Sequence, residues 1–283
     1  VQNAVLFFQS HQSDYLEQLK RFLEIPSVST SPEHAQDMQR AADWVAKQLE
    51  QMGFSNISIF PTRRHPIVYG DYLKAGKNKP TVLIYGHYDV QPAEPLDLWE
   101  SQPFTPTQRG ENLYARGASD MKGQVVATLA ALQSILSHGN LPVNIKYLVE
   151  GEEEIGSPNL TGFLYENKEL LASTFALNPD SGMIAADVPT LIYGLRGLAY
   201  FELKVYGPAH DLHSGLYGGV VHNPANALSQ LIAGMHDSTG KVALPGFYDR
   251  VRQLSDEERV AFSQLPMNAD YYVKQTGAPA LWG

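Results

Sequence analysis

Apolar residues recur along the first 180 residues with two alternating spacings. Helical spacing, in which apolar residues stand three and four apart, covers 11–24, 32–52 and 121–136. Short apolar runs typical of strands lie before, between and after these segments. The runs are 57–60, 66–73, 81–85, 143–149 and 174–177. This alternation predicts an α/β fold with a mostly parallel sheet and helices on both of its faces.

The pattern changes near residue 197. Apolar and polar residues alternate over 199–206, which indicates a half-exposed strand. A glycine-rich loop over 207–219 and a helix over 224–235 should follow, and the remainder is helical or irregular in pattern. We therefore predict one domain over 1–196 and the beginning of a smaller α+β domain over 197–283.

Composition narrows the classes of protein to consider. The chain has 283 residues, of which 43% are hydrophobic, enough for a sizeable core, and it contains no apolar run of the ~18 residues that a membrane span needs. The N-terminus shows no secretory signal pattern. The lack of cysteine excludes disulfides and thiolate sites and fits a cytoplasmic protein. A net charge of −9 without a basic stripe argues against nucleic acid as a partner.

Acidic residues and one histidine lie at the ends of the apolar runs or close behind them. They are His87 with Asp89, then Asp120, then Glu153 with Glu154, and then Asp180. In an open α/β sheet, ligands gather beyond the carboxyl ends of the strands. Several oxygen ligands and one nitrogen ligand, without a thiolate, suit zinc, manganese or cobalt. The series therefore predicts the two-metal site of a hydrolase.

Each part of this series also has a simpler interpretation when it is taken alone. His87 could be a core histidine beside an acid, Asp120 a helix N-cap, and Asp180 a turn residue. The acidic triplet 152–154 would ordinarily be a solvated surface, but here it follows a buried apolar run. In the series, Asp120 becomes a carboxylate able to bridge two metals about 3.5–4 Å apart. Adjacent carboxylates of the triplet can divide metal binding and proton transfer between them.

Three stretches of the chain resemble the signature blocks of the co-catalytic metallopeptidase family. The blocks are 86–92 (Gly-His-Tyr-Asp-Val-Gln-Pro), 116–123 (Arg-Gly-Ala-Ser-Asp-Met-Lys-Gly) and 150–157 (Glu-Gly-Glu-Glu-Glu-Ile-Gly-Ser). This family includes carnosinase, aminoacylase, glutamate carboxypeptidase and succinyl-diaminopimelate desuccinylase. The blocks are most similar to the carnosinase-like dipeptidase branch, and the resemblance covers nearly the whole chain in order.

The resemblance implies a role for each candidate residue. It implies His87 as a ligand of one metal, Asp180 as a ligand of the other, Asp120 as the bridge, Glu154 as a further ligand, Glu153 as general acid/base, and Asp89 as the acid that supports the cluster near His87. It also implies a cis peptide bond between Asp120 and Met121. His213 lies in a segment, 211–215, that resembles the dimerisation-domain loop of the family, whose histidine reaches a partner subunit's site and stabilises the tetrahedral intermediate.

The resemblance further implies a metal-dependent hydrolase that cleaves the amide bond of dipeptides or N-acyl amino acids. It implies two divalent metal ions, with zinc as the preferred metal. The 1–196 domain would be catalytic, and the 197–283 domain a lid and dimerisation domain of a homodimer. Deacylation of N-acyl amino acids and removal of a C-terminal residue are alternatives with the same groups. A non-catalytic scaffold is an alternative of another class, and a nucleotide-binding protein is disfavoured because no glycine-rich phosphate loop follows an early strand.

Family members are longer than this chain. Their catalytic domain closes with a C-terminal segment that provides a last metal-binding histidine, for which these 283 residues have no counterpart. We therefore expect the sequence to be a fragment of a longer protein.

Overall fold

The computed structural model describes residues 1–185 and 188–282. The chain divides into two compact units, of which the first is Val1–Gly182 and the second begins at Met183. The predicted domains, 1–196 and 197–283, stay a prediction.

A five-stranded sheet forms the centre of the first unit. Its strands are β1 (Ser55–Phe60), β2 (Ile67–Tyr72), β3 (Thr81–His87), β6 (Asn144–Glu150) and β7 (Phe175–Leu177). They lie in the order β1-β2-β6-β3-β7. Strand β3 is parallel to β6 and β7, whereas β2 is antiparallel to both of its neighbours. Four of the five strands therefore run in one direction, which confirms a mostly parallel sheet.

Helices cover both faces of this sheet. The helices of the first unit are α1 (Gln2–Ser10), α2 (Gln12–Leu23), α3 (Ala35–Gln51), α4 (Lys122–Leu136), α5 (Leu160–Glu166) and α6 (Lys168–Leu171). Residues of α2, α3 and α4 form the larger core with one face of the sheet. The other face packs on α5 and α6 in a smaller cluster. Strand β2 shows the division, because Val68 belongs to the larger core and Ile67 and Tyr69 to the smaller cluster.

The local sequence explains most of these elements. Strand β6 is buried along its whole length, as its continuous apolar run predicts. Helix α3 follows a 3-10 turn, Pro32–His34, and is closed by Gly53, whose φ of 76° is accessible to glycine at little cost. The predicted helices and strands of this unit are confirmed, with ends shifted by at most three residues. Sequence reasoning missed α1, α5, α6 and a short hairpin of β4 (Thr107–Arg109) and β5 (Asn112–Tyr114).

The second unit is helical in its described part. Its helices are α7 (Ser214–Tyr217), α8 (Pro224–Ala233), α9 (Asp256–Ser263) and α10 (Ala269–Thr276). The α8 helix confirms the predicted one, with Asn223 as its N-cap. The predicted strand over 199–206 is wrong, because this segment has no regular secondary structure. Alternating polarity describes the two sides of a strand, but a strand also needs a paired backbone. Among 183–185 and 188–282, β pairing is limited to isolated bridges.

Across 1–185 and 188–282, every helix falls short of the length and apolar character that crossing a bilayer demands.

Candidate metal centre

His87 is the last residue of β3, and its side chain is fully buried. Its Nδ1 lies 3.0 Å from the backbone carbonyl oxygen of Asp89 and 3.3 Å from Asp89 Oδ1. A carbonyl oxygen can only accept a hydrogen bond, so Nδ1 carries a proton and donates it. The other ring nitrogen, Nε2, is thereby left to bind a partner, which is the usual arrangement of a metal-binding histidine.

Three carboxylates surround Nε2 of His87. Asp120 Oδ1 lies 3.1 Å from Nε2, Asp180 Oδ2 3.5 Å and Glu153 Oε2 3.9 Å. One ligand atom each from His87, Asp120 and Asp180 lies within 4.8 Å of the other two. Asp120 precedes α4 and Asp180 follows β7, so residues from separate parts of the sequence meet beyond the end of β3. This donor set, one imidazole nitrogen with carboxylate oxygens, suits a divalent cation.

The electrostatics of the cluster favour a positive charge at this position. Burial lowers the pKa of His87, but hydrogen bonds with Asp180 and Asp89 and their negative charges raise the pKa of this imidazole to about 11. The carboxylates therefore stabilise a cation beside the ring, and a divalent ion supplies such a charge. Partial burial raises the pKa of Glu153, the nearby His87 lowers it, and the neighbouring acids add to the rise.

Asp89 connects the end of β3 to the acidic turn that follows β6. Its side chain is fully buried. Its Oδ1 accepts the backbone N–H of Glu153 at 3.2 Å, and its Oδ2 accepts the backbone N–H of Glu154 at 3.1 Å. The same carboxylate lies beside Nδ1 of His87. Asp89 is therefore placed to fix the histidine ring and the acidic turn relative to each other.

The three acids of the turn differ in their surroundings. Glu152 is buried, and its carboxylate accepts hydrogen bonds from Thr62 Oγ1 (2.7 Å), the His65 backbone N–H (2.9 Å) and Asn159 Nδ2 (2.7 Å). Glu154 lies outside the cluster of His87, Asp120 and Asp180 among the described residues, and its Oε2 accepts from Gln91 Nε2 at 2.8 Å. Glu152 is thus occupied by structural contacts, whereas Glu153 faces the cluster.

The family of the chain follows from its sequence. The model of Peptidase family M20/M25/M40 matches residues 83–271, which include all three signature blocks and the residues of the cluster. The chain belongs to this family. The resemblance of the blocks to a metallopeptidase family is therefore confirmed.

Individual M20 relatives match most of this chain. The Cys-Gly metallodipeptidase DUG1 of Candida albicans is 34% identical over 93% of this chain and 57% of its own length. The human Beta-Ala-His dipeptidase is 32% identical over 94% of this chain and 55% of its own length. The chain thus spans little more than half the length of these relatives.

Solved structures agree on the fold. The M20 metallo-carboxypeptidase Sso-CP2 from Sulfolobus solfataricus superposes with a TM-score of 0.77 and 34% identity, over 94% of this chain and 60% of that one. Human carnosine dipeptidase 1 gives a TM-score of 0.72 and 25% identity, over 99% and 62% of the two chains.

Two further features predicted from the M20 resemblance can be located. The peptide bond between Asp120 and Met121 is cis, which confirms that prediction. His213 lies in the second unit as the N-cap of α7, where its Nδ1 accepts the backbone N–H of Gly215 at 3.0 Å. Its role in a partner subunit stays a prediction, as do the roles of the other site residues.

Sequence reasoning missed a residue that fixes the start of α4. Lys122 is fully buried, and its Nζ donates to the carbonyl oxygens of Phe22 at 3.0 Å and Ile25 at 2.6 Å. These bonds connect the segment that carries Asp120 to the end of α2. The sequence did contain a signal, since Lys122 is the only charged residue in a helix of 15 residues.

Proposed function

We propose that the protein containing this chain is a metal-dependent hydrolase of the amide bond in dipeptides or N-acyl amino acids. The observation that carries the proposal is the convergence of His87 Nε2 with the carboxylates of Asp120 and Asp180, beside Glu153. The names of the relatives, a Cys-Gly metallodipeptidase and a Beta-Ala-His dipeptidase, support a dipeptide as substrate. Deacylation of N-acyl amino acids and removal of a C-terminal residue are the alternatives within this chemistry.

The proposed centre takes two divalent ions, with zinc as the preferred metal and manganese or cobalt as alternatives. We place His87 and Asp180 on the same ion, and not on separate ions as the resemblance implied. Two ligand atoms of one tetrahedral zinc, each about 2.0–2.2 Å from the metal, lie about 3.4 Å apart. The separation of His87 Nε2 and Asp180 Oδ2, 3.5 Å, matches this value. Asp120 would bridge to a second ion, with Glu154 as a ligand there.

Bound divalent ions would polarise the scissile carbonyl group and lower the pKa of water at the site. The proton transfers fall to Glu153, whose side chain is 40% exposed at the edge of the cluster. Its carboxylate accepts a proton from the attacking water and then donates it to the leaving amine nitrogen. Asp89 holds the backbone of Glu153 and the ring of His87 in fixed positions relative to each other during these steps.

We further propose a homodimer in which His213 stabilises the oxyanion that develops in the partner's site. The similarity of the 211–215 loop to the dimerisation loop of the family supports this proposal. The cytoplasmic location expected from the lack of cysteine stays a prediction.

Turnover measurements on the full-length protein test the proposed function. The wild type, loaded with zinc or manganese, should hydrolyse dipeptides such as Cys-Gly or β-Ala-His, or N-acyl amino acids. The variant Glu153→Gln should lose about 10²–10⁴-fold in kcat, because the proton acceptor is removed, while its metal content stays that of the wild type. Glu166→Gln, an exposed glutamate of α5, is the matched control and should keep full activity.

Two outcomes would contradict the proposal. A wild type that binds metal but cleaves none of these amides would favour the non-catalytic scaffold. A Glu153→Gln variant with the kcat of the wild type would remove Glu153 from the chemistry.

A further inference from the structure

The backbone N–H of His87 has an unusual partner. In a strand, successive N–H groups point to opposite sides. The N–H of Tyr88 donates to the carbonyl oxygen of Glu150 in β6, so the N–H of His87 points the other way, toward β7. Strand β7 ends too early to accept this bond, because its last residue, Leu177, lies opposite Ile84. The sulfur of Met121 accepts it instead, with Sδ 3.2 Å from the nitrogen.

Met121 is packed closely against this end of β3. Its side chain is fully buried, as is that of His87. A Cβ atom placed on Gly86 would lie 3.1 Å from Met121 Cε and 3.4 Å from Sδ. Glycine at position 86 therefore lets the thioether approach the backbone directly before the histidine. Met121 directly follows Asp120 in the chain. Its side chain therefore connects the backbone of His87, one candidate ligand, to the segment that carries Asp120, another candidate ligand.

We propose that Met121 is a positioning residue whose thioether sulfur fixes the main chain of His87 relative to Asp120. This inference rests on the proposed metal centre. Thioether sulfur is a weak acceptor, but a buried N–H without any partner is costly, so the bond restrains the end of β3. A shift of that backbone would change the 3.1 Å separation of His87 Nε2 and Asp120 Oδ1 and thus the fit of an ion between them.

The variant Met121→Leu tests the inference, because leucine has a similar volume but cannot accept the bond. Met38→Leu is the matched control, since Met38 is also in the core, 1% exposed, on α3. Three quantities are compared in the full-length protein: the melting temperature, the affinity for zinc measured against a competing chelator, and the hydrogen-exchange rate of the His87 amide.

We expect Met121→Leu to have a lower melting temperature than Met38→Leu, because its buried His87 N–H is left without an acceptor, and the two variants to differ at the site. Met121→Leu should bind zinc at least about tenfold more weakly than the wild type, as when other groups that orient a ligand are removed. Its His87 amide should exchange faster. Met38→Leu should match the wild type in both respects. Equal zinc affinities and equal His87 exchange in the two variants would overturn the inference and leave Met121 as a packing residue.

The exchange measurement separates this inference from the proposed function. Failure of the wild type to bind zinc or manganese, combined with faster His87 exchange in Met121→Leu, would overturn the metal centre but support the sulfur contact. Zinc binding by the wild type that Met121→Leu leaves unchanged would overturn the positioning role and leave the proposed function intact.

Discussion

The substitution Asp89→Asn removes a negative charge that interacts with three neighbouring groups. The buried carboxylate accepts the backbone N–H groups of Glu153 and Glu154 and lies beside Nδ1 of His87. Asparagine has nearly the same shape, but it replaces one oxygen by an NH₂ donor. With its oxygen toward Glu153, its NH₂ group faces the N–H of Glu154, and neither donor can satisfy the other.

The size of the effect follows from these contacts. Leaving one buried donor unpaired costs about 1–3 kcal/mol in the free energy of unfolding. The ring of His87 also loses a charged acceptor that orients it. Loss of such a partner typically weakens metal binding about 10–100-fold, which corresponds to about 1.4–2.7 kcal/mol.

Two assays on the full-length protein measure these effects separately. Urea unfolding without metal gives the stability, and competition with a chelator gives the zinc affinity. Asp71→Asn is the matched control, because Asp71 is also buried and accepts hydrogen bonds from Asn56 and Tyr69. It lies away from the site, opposite Lys146 of β6, whereas His87 lies opposite Glu150. Both variants should be less stable, and only Asp89→Asn should lose zinc affinity. Equal zinc affinities in the two variants would refute the role given to Asp89.

Two further predictions concern the turn after β6. Glu152→Gln should lower the free energy of unfolding by about 1–3 kcal/mol, and the urea midpoint with it, because its new NH₂ group faces a side-chain amide donor. Glu166→Gln should change the free energy of unfolding by less than about 0.5 kcal/mol. An unchanged midpoint for Glu152→Gln would contradict the structural role of this acid. Gly151→Ala should cost about 1–3 kcal/mol, since its methyl group would overlap a buried tyrosine ring, whereas Gly162→Ala in α5 has open space and should be neutral or stabilising. Equal melting temperatures for the two alanine variants would show that the turn can relax.

The helices and strands that the sequence predicted best are those whose apolar pattern lies within the element itself. The apolar run of β6 and the helical spacing of α4 are visible in the sequence, and both elements form. The segment 199–206 has an equally clear alternation but forms no strand, because pairing depends on another part of the chain. An alternating pattern thus carries no information on whether a pairing partner is present.

In the candidate site, too, local signals could be predicted and contacts between distant parts of the chain could not. His87, Asp120 and Asp180 could be predicted because they end a strand, precede a helix or follow a strand, and the structure brings them together. The structural role of Glu152 could not be predicted, since its partners Thr62 and His65 lie 90 and 87 residues away along the chain. In the sequence, an acid held by such contacts looks the same as an acid that faces a metal.

Anomalous X-ray scattering from crystals of the full-length protein grown with zinc tests the proposed centre most directly. The proposal predicts a zinc peak about 2.0–2.2 Å from His87 Nε2 and from carboxylate oxygens of Asp120 and Asp180. A map with no peak among these three side chains, from a crystal with zinc bound elsewhere, would contradict it.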